Sequence, residues 1–418
     1  MQITLKKDDF YIVSGTAEVT VKSGSLESIA VTKKLGDKIS IPVGKSVPLL
    51  ALEDSSVEIQ LKNEEQVKKL ETSSIPEEWD KFVEKILKER KKDSLYKILI
   101  LGEVDTGKTF FTTYLANRLL GSVDRVAILD TDTGQSDIGC PGNFGMLVLD
   151  KPEIFLTDLK PTHSYYIGAH SLAMHFCQTL TGLVEMMRYA KADADVLITD
   201  TTGWVQGDGG RAIKKAKLDI LQPDLVILMQ RGTELEHLVK HLPANKVIRN
   251  KVSRTASSTS QLDRQELRQL VSRRYFKETK VFEIPFDNVY TDRCFFKTGT
   301  KIELENTFWA EKLSGWEGTL VVTSGSLLKE DMKNWPKDLG RIRNFISGDE
   351  TGLMVALLGE NQRMLAVARL EKIDFLTNKF RIRSEFKGDL SEIKGIQFGS
   401  LKVDEKGNEA GFLEPGKL

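Results

Sequence analysis

Residues 102–119 read GEVDTGKTFFTTYLANRL, and this stretch decides the kind of fold that the chain adopts. The spacing Gly102-x-x-x-x-Gly107-Lys108-Thr109 matches the phosphate-binding loop, in which backbone N–H groups converge on phosphate oxygens. The apolar run LYKILIL directly before it predicts a buried strand, and the residues after it predict a helix. The dipole of that helix favours bound anions at its N-terminus. The loop therefore predicts a bound nucleoside triphosphate whose terminal phosphate goes to water or to another molecule.

Further apolar runs follow the loop, with helical segments between them. These runs are VAILD (126–130), VLITD (196–200), DLVILM (224–229) and KVFEIP (280–285). Apolar runs without alternation are typical of strands that are covered on both faces, as in parallel sheets. The sequence therefore predicts an α/β fold: a central P-loop NTPase-type parallel sheet with helices on both faces, flanked by N-terminal and C-terminal β-rich domains.

The flanking segments show a different pattern, because short runs of alternating apolar and polar residues fill residues 1–62 and return after about residue 290. Between the first of these segments and the loop, Trp79 and its apolar neighbours fall at helical spacing, and Ser74 with Glu77 predicts a capping box. We therefore expect four parts: an N-terminal β domain (1–70), a connector helix (71–93), a P-loop domain (94–288) and a C-terminal β domain (289–418).

Charge balance, cysteine content and the length of apolar runs indicate which class of protein the chain belongs to. The chain has 60 Lys and Arg against 60 Asp and Glu, so any electrostatic attraction to nucleic acid must be local. Its cysteines (Cys140, Cys177 and Cys294) are few and lack metal-ligand spacing, which favours a reducing compartment. No signal-peptide pattern opens the sequence, and no run approaches the ~18 apolar residues of a membrane span. We expect a soluble, cytoplasmic protein without membrane association.

The first candidate site beyond the loop is the string DTDTGQ at the end of the strand 126–130. Asp130 and Asp132 follow the strand at its carboxyl end, where open α/β sheets bind ligands and where a carboxylate can hold Mg²⁺. We expect one carboxylate to be structural and Asp132, followed by Gly134, to face the phosphates. Gln135 can position a nucleophile or a metal-bound water. The alternative is that these residues simply make a turn.

The second candidate site follows the strand 196–200. Asp200 and the hydroxyls of Thr201 and Thr202 lie at its carboxyl end, followed by Gly203 and Trp204. An aromatic ring beside the phosphates can stack on a nucleobase, which is worth roughly 1–3 kcal/mol per base. The alternative is a tryptophan that folds back and anchors its loop.

A basic segment supplies the third candidate site. Residues 246–280 hold ten Lys or Arg against three Asp or Glu, and Arg264-x-x-x-Arg268 places two guanidinium groups on one helix face. Arginines that close over a triphosphate can neutralise the charge of the transferring phosphoryl group. The alternative is a solvated basic helix. Other arginines that compete for this role are Arg254, Arg273 and Arg274.

GEVDTGKT, DTDTGQ, TTGW and the Arg-x-x-x-Arg pair, in this order, resemble the polynucleotide 5′-hydroxyl kinases. That family includes the RNA kinase of pre-mRNA cleavage and tRNA splicing, the nucleolar pre-rRNA-processing kinase and prokaryotic relatives. The resemblance is residue-specific over about 95–285. It implies Mg²⁺-dependent transfer of the γ-phosphate of ATP, or of GTP, to the 5′-hydroxyl end of RNA or DNA.

The resemblance also implies a role for each motif. Lys108 and Thr109 would serve ATP and Mg²⁺, and Asp132 would bind metal and deprotonate the attacking 5′-hydroxyl. The residues implied to bind the nucleotide are Gly102, Glu103, Val104, Asp105, Thr106, Gly107, Lys108, Thr109 and Phe110. Those implied to hold the substrate end are Gln135, Thr201, Thr202, Gly203 and Trp204. Those implied to form a catalytic lid are Arg264 and Arg268.

A rival interpretation is a non-kinase P-loop ATPase or GTPase switch that acts as an assembly factor in RNA processing. Gln135 would then place the attacking water. This interpretation does not readily explain Trp204 in its glycine-rich loop. A kinase of small metabolites fits less well, because two added β domains exceed what such a substrate requires.

Overall fold

The computed structural model describes residues 1–253 and 260–418, which divide into two compact units. The first unit comprises Met1–Gly139, Phe144–Ser164 and Thr179–Leu267, and the second comprises Cys140–Asn143, Tyr165–Gln178 and Arg268–Leu418. Each unit contains a hydrophobic core of its own. Among the described residues, no helix combines the length and the apolar character needed to cross a lipid bilayer. The four-part division expected from the sequence stays a prediction.

The N-terminal segment forms nine strands in two sheets. The strands are β1 (Gln2–Leu5), β2 (Phe10–Ser14), β3 (Ala17–Ser23), β4 (Ser25–Ser28), β5 (Val31–Lys34), β6 (Lys38–Ile41), β7 (Ser46–Ala51), β8 (Ser55–Leu61) and β9 (Val67–Leu70). One sheet has the order β1-β8-β3-β6 and the other β5-β4-β7-β2-β9, and the pairings described are antiparallel. Alternate residues are buried, as the period of two predicts.

These strands share one hydrophobic core with the α/β part of the first unit. Two polar contacts also link the N-terminal segment to the rest of the first unit. The Asn117 side chain donates to the Ile29 carbonyl at 2.7 Å, and Arg118 donates to Glu27 at 3.1 Å. The N-terminal strands are therefore an integral part of the first unit.

The connector helix, α1 (Glu78–Glu89), packs on the helix that follows the phosphate loop. Trp79 is 1% exposed, and its ring centroid lies 4.6 Å from that of Phe111 and 5.2 Å from that of Tyr114. Its indole N–H donates to the Asn250 side chain at 3.1 Å. Trp79 thus joins the connector to two other elements of the unit.

The predicted capping box at Ser74 and Glu77 is wrong. The helix begins after Glu77 without a side-chain cap, and the Trp79 N–H instead donates to the Pro76 carbonyl at 3.1 Å. A box at Ser74 needs Glu77 as the third helical residue, whereas Glu77 directly precedes the first one, so the two side chains do not span the start of the helix.

The central sheet contains seven strands in the order β13-β12-β11-β14-β10-β15-β16. In chain order they are β10 (Tyr96–Gly102), β11 (Val126–Thr131), β12 (Asn143–Leu149), β13 (His163–Tyr166), β14 (Val196–Thr201), β15 (Leu225–Gln230) and β16 (Val247–Lys251). The helices are α2 (Lys108–Leu119), α3 (Phe176–Asp193), α4 (Gly207–Leu221), α5 (Glu236–Val239) and α6 (Gln261–Arg274). The predicted α/β class is confirmed, and the sheet is mixed because β12 runs antiparallel to β11.

One predicted strand of the central sheet lies elsewhere. KVFEIP forms β17 (Lys280–Pro285), which pairs antiparallel with Lys379–Ser384 in the second unit. Ile284 is its one buried residue, whereas β10, β11 and β14 are buried along nearly their whole length. The assignment of 280–285 to the parallel sheet is therefore wrong, because an edge strand needs only one covered face.

The second unit is rich in strands, as the fold prediction expected. After β17 come β18 (Tyr290–Asp292), β19 (Thr300–Lys301), β20 (Trp309–Lys312), β21 (Gly318–Thr323), β22 (Arg341–Ile346), β23 (Leu353–Leu358), β24 (Met364–Asp374), β25 (Lys379–Ser384), β26 (Gly395–Val403) and β27 (Glu409–Phe412). One sheet has the order β17-β25-β24-β23-β26-β18, with β27 on β26, and a second has the order β19-β20-β21-β22.

We predict that Trp79→Ala lowers the free energy of unfolding of the first unit by about 3–5 kcal/mol, the usual effect of truncating a buried tryptophan. The indole fills the space between α1 and α2 and satisfies the Asn250 side chain. Urea unfolding followed by circular dichroism measures the change. The control is Glu78→Ala, at the exposed neighbouring position. Equal midpoints for the two variants would contradict this packing role.

Candidate active site

The phosphate loop has the backbone shape that anion binding requires. Asp105 and Gly107 adopt positive φ values of 58° and 77°, and Gly107 is the residue before α2. A Cβ at Gly102 would lie 2.5 Å from Thr106 Oγ1, whereas a Cβ at Gly107 would meet nothing within 4 Å. Gly102 therefore permits a tight turn, and Gly107 faces open space beside the helix N-terminus, where a phosphate would be favoured.

Lys108 and Thr109, the first residues of α2, point back towards the loop and the neighbouring strand. The Lys108 ammonium donates to the Glu103 carbonyl at 2.6 Å, and Thr109 Oγ1 donates to Asp200 Oδ2 at 2.6 Å. Burial lowers the pKa of Lys108, although Asp200 and Asp132 oppose the shift. Burial likewise raises the pKa of Asp200, against the effect of the Lys108 charge and the Thr109 hydroxyl. A cation, a hydroxyl and a carboxylate thus meet at one edge of the sheet.

The two carboxylates of DTDTGQ have different surroundings. Asp130 is buried and accepts hydrogen bonds from the backbone N–H groups of Asp132 and Asp137, both at 2.8 Å. Burial and the nearby Asp200 raise its pKa well above the ordinary value. Asp132 is half-buried, and its Oδ1 accepts the backbone N–H groups of Gly134 and Gln135, both at 3.0 Å. Asp130 therefore holds the backbone of the loop 132–137 in place, whereas the Asp132 carboxylate is itself held at the turn by two backbone N–H groups.

The segment 201–206, which we call the clasp, lies against the phosphate loop. A Cβ at Gly203 would come within 2.6 Å of the Val104 backbone nitrogen, so only glycine permits this approach. Gln206 Nε2 donates to Glu103 Oε1 at 2.6 Å. The Thr201 hydroxyl donates to the Ile100 carbonyl at 2.8 Å and is fully buried, which ties β14 to β10. The clasp and the phosphate loop therefore form one surface.

Trp204 is half-buried, and its indole lies over the first turn of α4. A Cβ at Gly209 would be 2.5 Å from Trp204 Cζ2, and one at Gly210 would be 3.1 Å from its Nε1. The two glycines thus make room for the ring on the helix. This placement fixes the orientation of the indole, as the loop-anchor alternative expected, and a role in stacking stays a prediction.

The predicted lid arginines have different partners. Arg264 Nη1 lies 3.5 Å from Asp105 Oδ2, so this guanidinium is beside the phosphate loop. Arg268 belongs to the second unit, where its Nη2 lies 3.7 Å from Glu409 Oε2. Of their competitors, Arg273 donates to Asn408 at 2.6 Å, and Arg254 lies outside the described residues. Arg264 is the lid candidate that the first unit brings to the nucleotide site.

Sequence reasoning missed three residues of this site: Arg231, Lys214 and Lys217. The sequence already places Asp200 at its strand end, and the structure adds its contact with the Thr109 hydroxyl. Arg231 directly follows β15, and its guanidinium donates to the Asp105 carbonyl at 2.9 Å. Lys214 and Lys217 are fully buried on α4. Their spacing on the same helix face as Leu218 and Leu221 was the available signal.

We predict that Gly203→Ala weakens ATP binding about tenfold, because a new Cβ against the Val104 backbone costs about 1–3 kcal/mol of overpacking. Titration with a fluorescent ATP analogue measures the Kd. The control is Gly232→Ala at the same edge of the sheet, where a Cβ would meet only the end of the Glu234 side chain, at 3.5 Å. An unchanged Kd for Gly203→Ala would show that ATP binding does not depend on the contact between the clasp and the phosphate loop.

Comparisons with known proteins agree with this geometry. Residues 102–278 match the family model described as mRNA cleavage and polyadenylation factor CLP1 P-loop. A polyribonucleotide 5′-hydroxyl-kinase of Methanocaldococcus jannaschii is 31% identical over 325 residues, covering 76% of this chain and 90% of the relative. One from Pyrococcus furiosus is 30% identical over 348 residues, covering 82% and 97%.

A solved structure shares the fold. The wild-type Clp1p–Pcf11p (454–563) complex matches with a TM-score of 0.67 at 14% identity, covering 96% of this chain and 97% of that chain. At this identity the likeness concerns the fold alone, whereas the two archaeal relatives match most of the sequence. The chain therefore belongs to the polyribonucleotide 5′-hydroxyl-kinase family, and its central part is a CLP1-type P-loop domain.

Proposed function

We propose that this chain is an enzyme that transfers the γ-phosphoryl group of ATP to the 5′-hydroxyl end of RNA. The observation that carries the proposal is the contact of the clasp with the phosphate loop, because it puts a candidate acceptor site beside the donor site. The names of the archaeal relatives support the same reaction. Phosphoryl transfer requires mainly positioning and charge neutralisation, and the site is built from groups that supply both.

The donor half of the reaction uses the phosphate loop and Lys108. The backbone N–H groups at the start of α2 would bind the phosphate oxygens, and the Lys108 ammonium would bridge the β- and γ-phosphates. In this structure the ammonium donates to the Glu103 carbonyl, inside the loop. A neutral acceptor thus holds the ammonium beside the phosphate loop. A triphosphate would stabilise its charged form against the pKa-lowering effect of burial.

The residues present fit a magnesium ion. The Thr109 hydroxyl and the Asp200 carboxylate lie 2.6 Å apart, which provides two adjacent oxygen ligands of the kind that Mg²⁺ prefers. When bound, Mg²⁺ would be held by the Thr109 hydroxyl and the Asp200 carboxylate and would supply positive charge against the negative charge of the transferring phosphoryl group. The sequence-based prediction assigned the metal to Thr109 and Asp132, and the geometry favours Asp200 as the carboxylate nearest to Thr109. Asp132 would then act on the attacking 5′-hydroxyl and not on the metal.

The acceptor half of the reaction uses Asp132 and the clasp. Both backbone hydrogen bonds to Asp132 fall on Oδ1, which fixes the carboxylate so that Oδ2 can accept the proton of the attacking hydroxyl. Trp204 would stack on the terminal base with the ring face opposite its helix. Gln135, whose backbone is held by Asp132, would contact the substrate end. These roles extend to DNA ends only if the clasp tolerates a missing 2′-hydroxyl.

The lid is the third part of the mechanism. Arg264 lies beside Asp105 on the phosphate loop, at a distance that lets it exchange the carboxylate for a phosphate oxygen. Arg231 already contacts the loop backbone and adds positive charge at its mouth. We propose that Arg264 neutralises charge on the transferring group, and that Arg268 supports the same helix through Glu409.

We predict that the protein labels 5′-hydroxyl RNA oligonucleotides when incubated with Mg²⁺ and γ-labelled ATP, and that Lys108→Ala abolishes the labelling. The loss follows from removing the ammonium that bridges the phosphates. The control is Lys160→Ala at an exposed position, which should label like the parent chain. DNA and GTP are tested in parallel. Label that appears only as free phosphate, with every oligonucleotide offered, would instead identify an ATPase switch.

We predict that Trp204→Ala raises KM for the RNA about tenfold or more, the loss expected for one stacked base, while KM for ATP stays nearly constant. Trp204→Phe keeps an aromatic plane and should recover most of the affinity. Initial rates measured with each substrate varied separately give both constants. Equal increases in the two KM values would show that the indole only anchors the loop.

A further inference from the structure

Helix α4 carries two lysines where an apolar residue would ordinarily lie. Lys214 and Lys217 are both 0% exposed, although lysine is almost never fully buried without a partner. Burial lowers the pKa of Lys217 to about 8 and that of Lys214 well below its ordinary value. Burial of two amines on one helix face disfavours folding, and a methionine would fill the same volume without this effect. Their hydrogen bonds show what the amines contribute instead.

Lys214 holds the clasp. Its Nζ donates to the Thr202 carbonyl and lies 3.2 Å from Thr202 Oγ1. Thr202 directly precedes Gly203 and Trp204, the residues that contact the phosphate loop and the first turn of α4. A single amine thus fixes the backbone at the point where the clasp leaves β14.

Lys217 holds the other loop of the site. Its Nζ donates to Thr131 Oγ1 at 2.6 Å, and the Thr131 hydroxyl donates onward to the Asp200 carbonyl at 2.7 Å. Thr131 directly precedes Asp132. The same amine interacts favourably with the charges of Asp132, Asp130 and Asp200. Lys217 therefore joins the ends of β11 and β14 and offsets negative charge beneath them.

We propose that Lys214 and Lys217 are positioning residues for phosphoryl transfer: Lys214 sets the acceptor clasp and Lys217 sets Asp132. The proposal rests on the function proposed above and adds two groups that touch neither substrate. Lys214 acts through Thr202 in the clasp and Lys217 acts through Thr131 beside Asp132, so the two have separable effects. Loss of Lys214 weakens the hold on the RNA end, and loss of Lys217 slows the chemical step.

The experiment compares Lys214→Met and Lys217→Met in steady-state phosphorylation of 5′-hydroxyl RNA. We expect Lys214→Met to raise KM for RNA about tenfold while KM for ATP changes less than about twofold. We expect Lys217→Met to lower kcat about 100-fold with both KM values nearly constant, as small misplacements of reacting groups do. The matched control is Lys215→Met, an exposed position on the same helix, which should behave like the parent chain.

Three further variants separate positioning from a general loosening of the fold. Thr131→Val removes the acceptor of Lys217 with little change of volume and should lower kcat in the same direction as Lys217→Met. Lys217→Arg keeps the charge and a donor and should be faster than Lys217→Met. ATP affinity and melting temperature, measured for every variant, identify any that is misfolded. Thr131→Val then decides the question for Lys217, and Lys214→Arg, which keeps a donor for the Thr202 carbonyl and should recover part of the affinity for RNA, decides that for Lys214.

Parallel increases in both KM values, or unchanged kinetics in the methionine variants, would overturn the proposal. An inactive parent chain would instead refute the proposed function, because no variant could then be compared with it. Labelling by the parent chain therefore comes first, and the two failures are distinguishable.

Discussion

The register of three neighbouring parallel strands determines where the functional groups of the first unit lie. β14 is the middle strand, with β11 on one side and β10 on the other. Asp130 pairs with Asp200 and Thr131 with Thr201 across β11 and β14, so the loops that follow these strands leave at the same level. The carboxyl ends of parallel strands form the usual ligand site of such sheets. A shift of one residue would turn these side chains to the opposite face.

Charge balance is the second constraint on this edge. Burial raises the pKa values of Asp130 and Asp200, and proximity to each other or to Asp132 adds to the effect. Amines at Lys108 and Lys217 oppose it from two sides, one in the phosphate loop and one beneath the strands. A triphosphate brings further negative charge, and cations at the mouth of the loop are placed to receive it. Lys214 and Lys217 can then keep their hydrogen bonds to Thr202 and Thr131.

The strand-end motifs were predictable because each depends on a few consecutive residues: an apolar run, then glycine and polar side chains. What the sequence could not show depends on distant partners. A six-residue apolar run such as 280–285 does not reveal whether it will be covered on one face or two. Helical spacing puts Arg264 and Arg268 on one face but does not reveal that one meets Asp105 and the other Glu409. The burial of Lys214 and Lys217 could not be predicted, because their acceptors, Thr202 and Thr131, lie in two other segments of the chain.

The common core of the N-terminal sheets and the nucleotide-binding strands has a practical meaning for protein engineering. The P-loop portion cannot be transplanted by itself, because Asn117 near the end of α2 donates to the Ile29 carbonyl in the turn between β4 and β5. A chimera that transplants only the central sheet would leave apolar side chains facing water. Any graft of this activity onto another scaffold must therefore carry the first seventy or so residues along with it.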